Sequence, residues 1–309
     1  MVGLLSVFFI SILSSEFILG TTLNAFIVVA HCLDWRKTKH LASSDKIIMA
    51  LCISRFFLQC CIALLNFLHT FLSELYSRPY SNEISFVVTI FLSLTSLWIA
   101  TLLSVFYCVK ITTYNFPIFL FLKRRISKLV PWLLWFCLLA SLASSLPLGF
   151  YMFVLSYKNS TVNNSTQEIV MRSRNLGNQS LIHTICSSMP FAIFSVSVWL
   201  LIHSLWRHTR QMQKSGSSFR GPNLDTHIGV VKSLIVFFFL YIAYFLCVNL
   251  SLFGLMSIYS PWVIFVSVLI SAYPFLHSAI LIFTSNKLRK TFIDLARTLL
   301  PQRLFSKIS

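Results

Sequence analysis

Two charged side chains sit where charge is expensive. Glu16 and Arg55 each fall inside a long apolar stretch of this 309-residue chain. A carboxylate or guanidinium near the middle of a bilayer-spanning helix costs about 2.5–3.5 kcal/mol if it faces lipid. Both are therefore expected to face the interior of a helix bundle and to find polar partners there. The first stretch runs opposite to the second, which puts Arg55 nearer the level of Asn24 than of Glu16. This predicts an Arg55–Asn24 contact that also reaches carbonyls freed in the seventh stretch, where Pro274 lacks a donor. Such a set can serve as polar glue between helices or as a switch.

The other reactive residues form no catalytic set. The chain has no HExxH, no GxSxG, no phosphate loop and no pair of intramembrane aspartates. Its 8 cysteines show no CxxC or Cys/His spacing and read as small apolar fillers. His31, His40, His203, His208 and His227 lie near helix ends, and His277 lies in the seventh stretch. Lone histidines at such places are packing residues more often than ligands. No enzyme, cofactor or metal is implied.

One modification chemistry is written more clearly. N-glycosylation sequons at Asn159, Asn163, Asn164 and Asn178 all fall within 151–181. Asn163 and Asn164 are too close to be modified together. A further sequon at Asn249 lies deep in the sixth stretch, out of reach of a glycosyltransferase.

The elements that must position these residues are seven apolar stretches at 4–30, 47–68, 86–108, 129–150, 182–206, 228–254 and 261–284. Each can cross about 30 Å of hydrocarbon at about 1.5 Å per residue. Basic residues cluster in alternate connectors, such as Arg36, Lys37 and Lys39, then Lys123, Arg124 and Arg125, then Arg207 and Arg210, and again in the tail. The positive-inside rule makes these cytoplasmic and places the N-terminus and the sequon-bearing connector outside. The expected fold is all-α membrane, a seven-transmembrane helix bundle over 1–284 with a cytoplasmic tail at 285–309. In the tail Leu288, Phe292, Leu295 and Leu299 recur at helical spacing among basic residues, as in a short amphipathic helix on the inner membrane surface. With 57% hydrophobic residues there is no room for a separate soluble domain. The net charge of +17 sits on connectors, where it meets anionic lipid headgroups rather than nucleic acid.

Particular strings go further. They include Asn24-Ala-Phe-Ile, Ile53-Ser54-Arg55, Leu97-Trp98-Ile-Ala-Thr101, Tyr107-Cys-Val-Lys110, Leu122-Lys-Arg-Arg-Ile126, Ser204-Leu-Trp-Arg-His208 and Tyr273-Pro274-Phe-Leu-His277-Ser278. In type and order they resemble the type 2 bitter taste receptors over nearly the whole chain. The rhodopsin-like pattern is absent: the third stretch ends Phe106-Tyr107-Cys108, not Asp-Arg-Tyr, and the seventh has His277-Ser278-Ala279-Ile280 in place of Asn-Pro-x-x-Tyr. Vomeronasal type 1 receptors are the nearer competitor. A transporter is disfavoured by the lack of internal repeats.

The resemblance implies a multi-pass plasma-membrane receptor that detects bitter small molecules and activates a heterotrimeric G protein of the gustducin type. Carried over position by position, it implies an agonist pocket at Asn66, Trp98, Thr101, Leu102, Tyr244 and Ser267. The chain departs from the family pattern at Cys60, Leu102 and Ser267. None of the pocket positions is acidic, so agonists are expected to be neutral or weakly polar. Their binding is expected at about micromolar, roughly −8 kcal/mol. The G-protein-facing residues are expected to be Tyr107, Lys110, Arg124, Arg125, His208, Lys232 and His277, framing a groove for a partner helix.

Overall fold

A bilayer offers no water to backbone amides, so an apolar chain crossing it must satisfy them within helices or a closed barrel. This chain does so with helices. The computed structural model describes residues 2–71, 81–112, 117–159, 165–214, 222–252 and 261–299. The helices are α1 (Val2–Thr38), α2 (Ser43–Phe71), α3 (Ser81–Ile111), α4 (Pro117–Asn159), α5 (Ser165–Lys214), α6 (Pro222–Leu252), α7 (Pro261–Thr284) and α8 (Asn286–Leu299). Seven of them, α1 to α7, contain segments long and apolar enough to cross a membrane. No strand occurs among the described residues.

The expected seven stretches are all helical, but several helices run past the expected ends. α1 continues to Thr38 and stops where Lys39 adopts a left-handed conformation at φ 55°. The 151–181 connector is mostly helical extension of α4 and α5, and the connector after span five stays helical to Lys214. A polar helix end in water loses nothing by continuing, whereas the hydropathy that marks a span stops at the hydrocarbon edge.

α1, α2, α3, α5, α6 and α7 close a ring in that order, with α7 returning to α1, and α4 packs outside against α3. α3 is the most enclosed span and α1 the least. The core runs through Ile27, Leu51, Leu94, Leu103, Phe194 and Leu234. Large apolar side chains such as Trp132, Trp135, Trp199 and Trp262 stand exposed, as a lipid-facing surface requires. α8 follows Ser285 and contacts α7 and α1. It buries Leu288, sets Phe292 edge-on to Phe26 of α1 at 5.3 Å, and leaves Arg289, Lys290 and Arg297 exposed. All 8 cysteines are unpaired.

Candidate functional site

Arg55 is the centre of a polar network. It is fully buried on α2. Its Nε donates to Ser96 Oγ of α3 at 3.0 Å, and a terminal nitrogen donates to His277 Nδ1 of α7. The guanidinium also lies over the Tyr273 ring, 5.3 Å from its centroid. No acidic partner reaches it among the described residues. A buried cation held by a hydroxyl, an imidazole and an aromatic face has a small margin over its desolvation cost. His277 accepts at Nδ1 and therefore presents a neutral ring there. That ring stacks on Phe237 of α6 at 3.7 Å.

A second set joins α1 to the same region. Asn24 donates to Gln59 Oε1 of α2 at 3.2 Å and to the Gly20 carbonyl at 2.8 Å, and Ser278 of α7 donates to Asn24 Oδ1 at 2.7 Å. A side chain at Gly20 would run into the Gln59 amide, which would have to swing off Asn24 to make room. Higher on α7, Ser271 donates to the Glu16 carboxylate.

These positions bear on the sequence reading in two ways. The levels agree, since Asn24 pairs with Ser278 next to His277, and Glu16 pairs with Ser271 nearly two turns away. The Arg55–Asn24 contact is corrected. Arg55 takes Ser96 and His277, and it reaches α7 through side chains rather than freed carbonyls. Helix rotation, which hydropathy does not encode, turns Gln59 and not Arg55 toward Asn24.

Beside the network lies a cavity of about 180 Å³ between α2, α3, α5, α6 and α7. Ser93, Ser96, His183, Tyr244 and Tyr273 supply its polar wall, and Leu58, Leu97, Val248 and Ile270 part of its apolar one. Tyr244 and Ser93 share a hydroxyl hydrogen bond at 2.6 Å, and the Tyr244 and Tyr273 rings meet at 4.6 Å. Two cavity residues, Ser96 and Tyr273, are also Arg55 contacts.

Of the expected pocket residues, only Tyr244 lines this cavity. Trp98 turns instead toward α4, edge-on to Phe136 at 6.2 Å, with Cys137 Sγ donating to its carbonyl. Thr101 donates to the Pro190 carbonyl of α5 at 3.1 Å, Leu102 is core, and Ser267 bonds back to the Val263 carbonyl at 2.8 Å. Asn66 lines a different groove between α1, α2 and α7. Sequence reasoning missed Ser93, Ser96 and His183. Tyr273 stood in a quoted string but drew no role.

At the other end of the bundle, Arg124, Arg125 and Lys232 are exposed, and Tyr107 and Lys110 are half-buried. His208 lies on α5, with its side chain outside the described residues. His277 is corrected. It is 2% exposed inside the network and does not face the inner surface. Lys287 of α8 bridges Asp34 of α1 at 2.6 Å and Asp45 of α2 at 3.4 Å. Partial burial pulls the Lys287 ammonium down, but the hydrogen bond to Asp34 and the Asp45 charge outweigh this and raise its pKa. Asn178 is exposed on α5, Asn159 ends α4, and Asn163 and Asn164 lie outside the described residues. Asn249 is held by Thr184 and the Phe245 carbonyl. Among the described residues no three His, Cys, Asp or Glu side chains gather as a metal site.

Known proteins share this chain's pattern over most of its length. Residues 1–299 match the family model described as Taste receptor protein (TAS2R). The chain is 34% identical over 295 residues to Taste receptor type 2 member 7 of Papio hamadryas, covering 92% of this chain and 91% of that protein. It is 31% identical over 292 residues to Taste receptor type 2 member 2 of Homo sapiens, covering 92% and 93%. It is 32% identical over 300 residues to the human Taste receptor type 2 member 3, covering 96% and 95%.

Proposed function

The chain belongs to the taste receptor type 2 family, and we propose on that premise that it is a plasma-membrane receptor for bitter small molecules. In this reading agonists bind in the central cavity and activate a heterotrimeric G protein of the gustducin type. The observation that carries the mechanism is the sharing of Ser96 and Tyr273 between the cavity wall and Arg55. At about 180 Å³ the cavity is smaller than the roughly 300–1,000 Å³ of typical ligand sites. An agonist must therefore widen it. Moving Ser96 or Tyr273 shifts the guanidinium, and its His277 partner rests on Phe237 of α6. Agonist entry at one end thus biases α6 relative to α7.

The basic connectors support an outside N-terminus, with Tyr107, Lys110, Arg124, Arg125, His208 and Lys232 on the cytoplasmic, G-protein-facing end. Lipid headgroups share the same charges. No acidic residue lines the central cavity among the described residues, which favours neutral or weakly polar agonists there.

The test is calcium release in cells that co-express the chain and a taste G-protein chimera, screened with neutral bitter compounds. Responses at micromolar concentration are expected, and Tyr244→Ala and Ser96→Val should each raise the half-maximal concentration about tenfold at unchanged surface level. Unchanged potency in both variants would refute the cavity. Responses seen only with a different G protein would refute the gustducin-type coupling.

A further inference from the structure

A groove of about 220 Å³ lies between α1, α2 and α7 in the half of the membrane nearer the N-terminus. Ile62 lines both this groove and the central cavity. Most of its wall is apolar, including Leu13, Phe17, Ala63 and Phe67, and the exposed Ile10 and Phe71 stand at its edge. Three features do not belong in a plain lipid groove. Glu16 lines it, a half-buried carboxyl whose hydrogen bond comes from Ser271 and which has no cationic partner among the described residues. Gln59 lines it, and its Nε2 is buried against Gly20 without a hydrogen-bond partner. The Asn24 bond to Gln59 Oε1 fixes which end of that amide remains free. Asn66 stands exposed at the mouth.

A buried donor without an acceptor, beside an acid without a cation, defines what is missing: a cation and an acceptor oxygen on an apolar body. We propose that this groove is a second binding site, for lipophilic amines that carry a carbonyl or ether oxygen near the ammonium. The ammonium meets Glu16, the oxygen accepts from Gln59 Nε2 as that amide swings off Gly20, and the chain lies along Phe17 and Phe67. Glu16 lies about 12 Å inside the Phe8 end of its span by helical rise. A phospholipid amine tethered at the headgroup level does not reach that depth, which singles out a free amphiphile. The site is separate from the neutral-agonist cavity and does not rest on the taste reading.

The test uses the full chain in phosphatidylcholine nanodiscs, which removes aminophospholipid. The probe is glycine decylamide with a diazirine in the alkyl chain, and its neutral counterpart is the matching hydroxyacetamide. Saturable labelling of peptides spanning 10–17 and 59–71 is expected, at least about tenfold stronger for the amine. Glu16→Gln should remove the preference. Ala63→Trp, which keeps Glu16 but fills the groove, should abolish labelling by both probes. Equal labelling by the two probes, or labelling that survives Ala63→Trp, would overturn the proposal. So would competition by added phosphatidylethanolamine, which would make the occupant a lipid.

Discussion

Replacing Arg55 by methionine separates a staple from a switch. Methionine keeps much of the buried volume and removes the charge. Two hydrogen bonds are lost, to Ser96 and His277, each about 0.6 kcal/mol between membrane helices. The cation–π contact with Tyr273 takes about 1 kcal/mol more. Leaving the His277 acceptor without a partner adds about 1 kcal/mol. Against these losses of about 3 kcal/mol stands the relief of a buried guanidinium, about 2.5–3.5 kcal/mol on insertion scales. The two sides nearly cancel. Arg55→Met should therefore melt within a few degrees of the parent in detergent and reach the cell surface normally. Signalling should still fall at least about tenfold, because Arg55 is what links Ser96 and Tyr273 of the cavity to His277 and α6. Thermal unfolding of purified protein and calcium release at matched surface level read the two arms. A drop in melting temperature of more than about 10 °C that tracks the signalling loss would show a staple and refute the cancellation. Full signalling at normal surface level would refute the linkage.

Other perturbations probe separate parts of the reasoning. Gly20→Val should destabilise the protein by about 1–3 kcal/mol, read as a lower melting temperature, because a side chain there collides with Gln59. Ile270→Glu puts an acid on the cavity wall and should create calcium responses to amines, whereas Ser267→Glu, off that wall, should not. N-glycosidase treatment of cell-expressed protein should increase gel mobility, and the shift should vanish when Asn159, Asn163, Asn164 and Asn178 are all changed to Gln. No shift in the parent would count against an outside 151–181 segment. Lys287→Met should loosen α8, seen as faster amide exchange across Asn286–Leu299. The parent clamp should persist through neutral pH and weaken as pH rises through the raised Lys287 value or falls through the lowered Asp34 one.

The spans were legible because the bilayer sets their length and composition, and no tertiary contact can override that demand. The inward faces of Asn24 and Arg55 were legible for the same reason, since lipid exposure of such groups is costly, whereas Glu16 is only half-buried. Partner choice was not. It depends on the rotation of each helix about its axis, and a turn of one residue moves a side chain by about 100°. α3 shows the limit most clearly. It is enclosed on most sides, so its apolar residues form no single stripe from which a cavity-facing side can be read. Trp98 and Ser96 are two positions apart. The family resemblance favoured the tryptophan, yet the serine holds Arg55 and the tryptophan packs on α4. Hydroxyls are silent in such a sequence because they can bond their own helix, as Thr95 does to the Phe91 carbonyl at 2.8 Å. Ser96 and Ser93 differ from it only in what faces them. The cavity therefore had to be seen in three dimensions, whereas the buried arginine that its walls hold could be named from one.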